Sequence, residues 1–106
     1  MASIETSAAL QRVAARFAER LPARLDGIDR LIALWCSDSS PSQLDEIIRT
    51  CHDLAGTAPT LGYPDLGVAA QQLEALALDV MRQAAGSSEE NILILTGGIR
   101  ALRGAS

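Results

Sequence analysis

Two apolar stripes at helical spacing, joined by a turn rich in glycine and proline, constrain this chain most strongly. Each stripe repeats at about 100° per residue, as expected for an amphipathic helix. The first stripe contains Leu44, Ile47, Ile48, Cys51, Leu54, Ala55 and Ala58. The second contains Leu66, Ala69, Ala70, Leu73, Ala77, Val80 and Met81. Because Gly62 and Pro64 stand between the stripes, the sequence predicts two antiparallel helices that fold back near residues 62–63.

His52, the only histidine in the sequence, falls at the rim of the first stripe. It lies roughly 110° around the helix from the centre of that stripe. Its own row contains Asp45, Arg49, Gly56 and Pro59, and Gly56 leaves a gap in it. A glycine inside a helix costs about 1 kcal/mol relative to alanine. That cost is explained if a bulky group must approach the imidazole, so we expect this row to form a docking surface.

Polar side chains on the second helix are expected at the same level along the helix axis as the histidine. A fold-back near residues 62–63 brings His52 opposite residues 72–74. Gln71 and Glu74 are therefore the side chains expected to meet the imidazole and to orient it. Arg49, one turn before His52, either contacts a phosphoryl group or an acidic partner, or forms a solvated salt bridge.

The N-terminal part of the chain also shows helical spacing. Leu10, Val13, Ala14, Phe17 and Leu21 predict a helix over residues 6–19. A four-three repeat then predicts a packed helix with Trp35 in the core; its residues are Leu21, Leu25, Ile28, Ile32 and Trp35. Pro22 either starts this second helix or kinks one long helix. The sequence thus predicts about five helices.

Capping residues predict the remaining helix boundaries. Ser40-Pro41-Ser42-Gln43 is a candidate capping box for the helix that carries His52. Gly62 is a candidate C-cap, and Pro64 opens the next helix, which runs to about residue 84 and is ended by Gly86. Ser87-Ser88-Glu89-Glu90 is a second candidate capping box. The last segment has strand-like composition at residues 92–96, but its helical period predicts a helix weakened at Gly97-Gly98.

Composition limits the class of protein. A length of 106 residues predicts a single domain over residues 1–106. The net charge of −4 argues against nucleic-acid binding. All nine basic residues are arginine, which excludes Schiff-base chemistry and a P-loop lysine. The sequence shows no membrane span and no secretory signal, and Cys36 and Cys51 lie on apolar stripes as expected of buried, reduced thiols, so we expect a cytoplasmic protein.

The segment around His52 resembles the phosphoacceptor segment of histidine-containing phosphotransfer (HPt) domains of bacterial two-component phosphorelays. The matching residues are His52-Asp53-Leu54-Ala55-Gly56, Gly62, Leu66, Ala69-Ala70 and Leu73-Glu74, about a quarter of the chain. Two positions depart from the family pattern. Many members carry lysine where this chain has Ala55, and a small residue is more usual at Pro59. We expect Pro59 to bend or end the helix just beyond the site.

This resemblance implies both a fold and a function. The fold is all-α, an antiparallel four-helix bundle with an additional or kinked N-terminal helix. In function, His52 exchanges a phosphoryl group, through Nε2, with aspartates of response-regulator receiver domains. The resemblance also implies a sensor histidine kinase, hybrid or not, as a partner. The sequence shows no metal cluster or phosphate cradle, so Mg²⁺ is expected from the receiver domain. We expect a monomeric phosphocarrier without a cofactor or kinase activity of its own.

Other functions fit the sequence less well. The chain could dock a receiver domain without accepting phosphate. His52-Asp53-Leu54 with Pro59 downstream is also similar to the histidine box of sensor-kinase dimerisation domains, although the sequence has no glycine-rich ATP-binding segment. A metal site is disfavoured by the shortage of ligands. Cysteine–histidine catalysis is disfavoured because Cys51, adjacent to His52, points about 100° away from it.

Overall fold

The computed structural model describes residues 4–83 and 88–106. For residues 4–7 it describes the backbone alone. Four helices run over Ile4–Asp38 (α1), Pro41–Thr57 (α2), Pro64–Gln83 (α3) and Glu89–Gly104 (α4), and a 3₁₀ turn at Pro59–Leu61 joins α2 to α3. Helix α1 contacts α2 and α4, and α3 contacts the same two helices. Short connections and this contact pattern confirm the predicted antiparallel four-helix bundle.

Helix α1 is a single helix of 35 residues, with Pro22 inside it. Of the two alternatives considered for Pro22, the start of a separate helix is therefore wrong, and a position inside one long helix is right. Proline removes one backbone hydrogen bond and costs about 3 kcal/mol in a helix interior. Here Pro22 is exposed, while Leu21 and Leu25 are buried in the bundle on either side of it. Their packing holds the helix together through the proline.

The first turns of α1 extend beyond the bundle. At 1.5 Å per residue, α1 is about 52 Å long, twice the length of the 17-residue α2. Leu10 and Val13 are 50% and 51% exposed, and Phe17 is the first residue of α1 in the core. The ring of Phe17 packs against Tyr63, with centroids 5.4 Å apart. The apolar spacing predicted the helix correctly, but the first part of its stripe has no partner helix among the described residues.

The two central stripes form the core as predicted. Leu44, Ile47, Cys51 and Leu54 of α2 are buried, as is Ala58 directly after it, and Ile48 and Ala55 pack at the edge of the core. On α3, the predicted residues are buried, apart from Met81, which is partly buried. Trp35 is 1% exposed and belongs to the core. Residues 92–96, despite their strand-like composition, lie within α4.

The turn between α2 and α3 lies where the sequence predicted it, but the C-cap of α2 is Ala58 and not Gly62. Helix α2 ends at Thr57, so the predicted end of the helix near Pro59 is confirmed. Gly62 adopts φ 96° and caps the 3₁₀ turn, its N–H donating to the Pro59 carbonyl. This left-handed conformation is favourable for glycine, which has no Cβ. Pro64 opens α3, as predicted.

The two predicted capping boxes fare differently. Ser40 is the N-cap of α2 and Pro41 opens the helix, as predicted, but the Ser40 hydroxyl lies 2.8 Å from the Ser42 hydroxyl and makes no cap, so the capping box itself was wrong. At α4, the N-cap is Ser88, whose Oγ accepts from the backbone N–H of Asn91 at 3.2 Å. The sequence therefore predicted the start of α4 correctly, except that the predicted capping box begins one residue too early. Gly86, Ser87 and the helix end near residue 84 lie outside the described residues.

Glycine at position 98 has a packing role. A Cβ built there would lie 2.6 Å from Cδ1 of the buried Leu73, whereas a Cβ at Gly97 would meet nothing within 4 Å. The absence of a side chain at Gly98 therefore lets α4 approach α3 closely. The predicted weak point of α4 is one of its contacts with the core, and the helix runs through both glycines without a break.

Candidate functional site

His52 lies on the exposed face of α2, beside α3. Its side chain is 76% exposed, and its Nδ1 lies 2.9 Å from Oε2 of Glu74, whose own side chain is 19% exposed. One helix therefore carries the imidazole, and the neighbouring helix supplies a carboxylate held at the interface. The rim position derived from the helical period corresponds to this placement.

The Glu74 contact defines the chemistry of the ring. A carboxylate only accepts hydrogen bonds, so in the neutral imidazole the proton lies on Nδ1. The lone pair then lies on Nε2, the ring nitrogen opposite the carboxylate-bound edge. With most of the ring exposed, Nε2 is available to a reaction partner from solvent. The site is an oriented nucleophilic nitrogen on an open surface.

Of the two side chains expected at the imidazole, the structure brings only Glu74 into contact. Gln71 is exposed, and its side chain makes no hydrogen bond with any residue in the described part of the chain. The reason is angular, because Gln71 lies three residues earlier and therefore about 60° further around α3 toward solvent. The sequence identified the correct face of α3 but did not decide between Gln71 and Glu74.

The polar row beside His52 contains an ion pair. Arg49 Nη2 lies 3.1 Å from Asp45 Oδ2, and the two side chains are 78% and 52% exposed. Of the two roles considered for Arg49, the salt bridge is the one the structure contains. An exposed pair four residues apart in a helix contributes only about 0.3–0.5 kcal/mol. Either side chain can therefore exchange this partner for another at little cost.

Two glycines near the site have opposite surroundings. A Cβ built at Gly56, one turn after His52, would meet nothing within 4 Å. A Cβ at Gly67 of α3 would lie 2.5 Å from Cγ and 2.8 Å from Cδ of Pro59. Gly56 thus leaves open space next to the imidazole, whereas Gly67 accommodates the Pro59 ring. The sequence marked Gly56 as a gap in the row of His52 and gave no signal that Gly67 is a packing contact.

Cys51 cannot act with His52. Its side chain is fully buried, and burial, aided by the nearby negative charge of Glu74, raises the pKa of the Cys51 thiol to about 12. The thiol is therefore protonated and a poor nucleophile near neutral pH. Cys36 is also free but only partly buried, so the prediction of two buried thiols is right for Cys51 and too strong for Cys36.

This difference predicts thiol reactivity. At pH 8, Cys36 should react with a disulfide reagent such as DTNB in the native protein, and Cys51 should remain protected. Both should react in guanidinium chloride, and a Cys36→Ser variant should show almost no native reaction. Thiol counting by absorbance checks this result. Rapid native labelling of Cys51 in the Cys36→Ser variant would contradict the buried, protonated thiol.

Other kinds of site receive no support from the described residues. Among them, no group of three or more His, Cys, Asp or Glu side chains could hold a metal ion. None of the helices in residues 4–83 and 88–106 combines the length and apolar character that crossing a bilayer requires. The His52–Glu74 pair is the arrangement in this part of the chain with an evident chemical capacity.

Comparison with known proteins gives one match. The family model described as Hpt domain matches residues 12–105, nearly the full chain. No curated protein and no solved structure matches the sequence. The matched range includes α2, α3 and the facing pair His52 and Glu74.

Proposed function

Because this chain belongs to the Hpt domain family, we propose that His52 is the phosphoacceptor of a two-component phosphorelay. In this proposal, His52 takes a phosphoryl group from an aspartate of one receiver domain and passes it to an aspartate of another. A hybrid sensor kinase and a response regulator are the proteins that carry such domains. The observation that supports this most is the exposed imidazole whose Nδ1 lies 2.9 Å from Glu74.

The proposed transfer uses one bond made and one bond broken. The lone pair of Nε2 attacks the phosphorus of an aspartyl phosphate, and the P–O bond to the aspartate breaks. The aspartate leaves as a carboxylate, and the phosphoryl group is joined to Nε2. Positive charge develops on the ring, and Glu74 stabilises it through the Nδ1–H hydrogen bond. Transfer to the next aspartate is the reverse of this step.

The receiver domain must supply the remaining chemistry. Phosphoryl transfer depends on cations that neutralise the phosphoryl oxygens, in most cases Mg²⁺. We propose that Mg²⁺ comes from the receiver, and that this chain is a phosphocarrier without kinase activity. The position three residues after His52 is Ala55, so no lysine assists from there. Arg49, released from Asp45, is the nearest cation on the proposed docking row.

We propose that the receiver approaches over the row formed by Asp45, Arg49, Gly56 and Pro59. Gly56 gives the approaching loops open space beside the ring. Pro59 ends this surface, because its ring packs on Gly67 at the start of α3. We further propose that the chain works as a monomer in the bacterial cytoplasm, since one copy contains the complete site.

Glu74 should influence transfer through the orientation of the ring. Glu74→Ala removes the acceptor for Nδ1–H, so transfer from a phosphorylated receiver should slow severalfold, since orientation rather than the nucleophile itself is lost. Gln71→Ala, three residues away on the same helix, is the matched control and should transfer at the normal rate. ¹⁵N NMR of the imidazole should show a mixture of tautomers in Glu74→Ala. Equal transfer rates in the two variants would contradict an orienting role for Glu74.

Two experiments distinguish the alternative functions. A docking module without phosphotransfer would bind a receiver but gain no acid-labile phosphate from it. A sensor-kinase-type dimerisation segment would sediment as an obligate dimer through α2 and α3, whereas we expect a monomer at micromolar concentration. Sedimentation of the wild-type chain, followed by mixing with a panel of phosphorylated receiver domains, therefore tests the proposal against both.

A further inference from the structure

A second surface lies between α1 and α2, away from the histidine. Two adjoining hollows share Arg24 at their junction. The first contains Phe17 and Leu61, and the second contains Ile28 and Leu31, so both have apolar side chains in their walls. We call this pair of hollows the α1–α2 groove. Its length follows α1 from Val13, in the part that projects beyond the bundle, to Leu34 near the C-terminal end of the helix.

Arginines line this groove at regular intervals. Arg16, Arg20 and Arg24 follow one another at one-turn spacing on α1, and Arg30 lies further along the same groove. None of these four forms an ion pair with a residue in the described part of the chain, whereas Arg49 and Arg103 both do. Arginines that are exposed or, for Arg24, half-buried, and that have no ion-pair partner among the described residues, form beside apolar side chains a surface suited to an acidic ligand.

The concentration of positive charge contrasts with the whole molecule. The chain has a net charge of −4, yet five of its nine arginines lie in residues 12–30 of α1. The carboxylates of Asp26 and Asp29 in the same stretch are bound by Arg103 of α4. The charge is thus separated around α1, with arginine toward α2 and the paired carboxylates toward α4.

The groove is separate from the proposed phosphoacceptor site. Glu46, Thr50 and Thr57 are the α2 residues that line it, and they lie about 120–160° around the helix from His52. His52 faces α3 through Glu74, while the two threonines face α1. A ligand in the groove would therefore leave the imidazole exposed.

The geometry favours a helical ligand. Arginines four residues apart are separated by about 6 Å along the helix axis. Carboxylates four residues apart on a second helix have the same spacing, so a row of acidic side chains can meet the arginines in register. Apolar side chains on the inner face of that helix would cover Phe17, Leu61 and Leu31. Arginine suits this role because its guanidinium binds a carboxylate through two hydrogen bonds.

We propose that the α1–α2 groove binds an acidic amphipathic helix of a protein partner while His52 remains free to exchange phosphate. Such an attachment would hold a partner near the histidine and raise its effective concentration. Polyanions such as nucleic acid are less suited, because the overall charge is negative, Glu46 also lines the groove and the walls are apolar. A flat membrane surface does not match a concave groove between two helices.

The test uses a designed peptide and two matched variants. The probe is a fluorescent helical peptide with leucine on one face and glutamate on both flanks, and the control peptide has glutamine in place of glutamate. Arg16→Glu/Arg20→Glu changes the groove, and Arg82→Glu/Arg100→Glu makes the same change in net charge on exposed parts of α3 and α4. Circular dichroism first establishes that both variants are folded.

The acidic peptide should bind the wild-type chain, with amide NMR shifts at groove residues such as Thr57 and Leu61. The groove variant should weaken binding by at least about tenfold, and the control variant by less than about twofold, since only the first removes the contacting charges. The glutamine peptide should bind weakly. His52→Gln should bind the acidic peptide normally, which separates this result from the fate of the phosphotransfer proposal.

Several results would overturn the proposal. These are shifts confined to the surroundings of His52, the absence of shifts at millimolar peptide, and equal weakening in the two arginine variants. Tighter binding to phosphatidylglycerol vesicles or to a DNA duplex than to the acidic peptide, lost in the groove variant, would assign the arginines to a membrane or to nucleic acid instead.

Discussion

Replacing His52 with glutamine should abolish phosphoryl transfer from any receiver domain to this chain. Glutamine keeps a polar side chain of similar reach but has no nitrogen lone pair that can attack phosphorus. The expected result is complete loss of acid-labile, base-stable label after mixing with a phosphorylated receiver. Histidine phosphate has this lability, whereas an aspartyl phosphate is labile in base. The assay therefore also shows which partner holds the phosphoryl group.

The fold should tolerate this substitution. The His52 side chain is 76% exposed, so the variant loses one solvent-accessible hydrogen bond to Glu74, worth about 0.5–1.5 kcal/mol. A truncation in the core costs about 2–5 kcal/mol. Urea denaturation distinguishes these ranges, and Gln71→Ala is the surface control. A loss within the core range would mean that His52 is mainly structural.

Gly56→Leu should slow phosphotransfer by at least about tenfold, a cost of 1.4 kcal/mol in the complex with the receiver. The leucine would project into open space one turn from His52, where the receiver must approach. The isolated domain should keep its stability or gain up to about 1 kcal/mol, because a glycine inside a helix is replaced. Transfer time courses and urea denaturation of the one variant measure both effects.

Gly67→Ala is the matched control for this glycine. Its new methyl group would overlap the Pro59 ring, so it should destabilise the fold by about 1–3 kcal/mol through overpacking, less the gain in helix propensity. Because Gly67→Ala disturbs the row only at Pro59, about two turns from His52, and places no bulk beside the imidazole, transfer measured where the variant is folded should slow less than in Gly56→Leu. A normal transfer rate in folded Gly56→Leu would exclude the docking role of Gly56.

Much of the fold followed from helical periodicity because most of these helices are amphipathic along their whole length. The α2 and α3 stripes are such cases, and their burial was predicted almost residue by residue. Leu10 and Val13 show the limit of this method. They have the same spacing as core residues, but whether a stripe finds a partner depends on how far the neighbouring helices extend. Spacing within one helix carries no information about that length.

Pro22 and Gly67 show a second limit. A proline breaks a helix or stays within it according to the packing on either side, which is a tertiary property. A glycine on a helix flank can mark open space or close approach, and its neighbours decide which. The sequence identified the relevant face of α3 but left Gln71 and Glu74 as equal candidates. The register of two packed helices was needed to place Glu74 at the imidazole.

The overall arrangement gives one small domain two surfaces with different chemistry. On one side of α2, a carboxylate from α3 orients an exposed imidazole beside open space. On the other side, arginines of α1 that form no ion pair with the described residues border an apolar groove. Helix α2 contributes to both surfaces because its buried stripe leaves two flanks available. A partner bound on one flank need not obstruct chemistry on the other.

The most direct test of the proposed function is to observe the phosphorylated imidazole itself. The chain, labelled with ¹⁵N-histidine, would be mixed with a phosphorylated receiver domain and examined by ¹H–¹⁵N and ³¹P NMR at alkaline pH, where phosphohistidine is stable. We predict a phosphoryl group on Nε2 of His52, with the proton retained on Nδ1 beside Glu74. Phosphorylation at Nδ1, or no phosphohistidine with any receiver domain of the source organism, would contradict it.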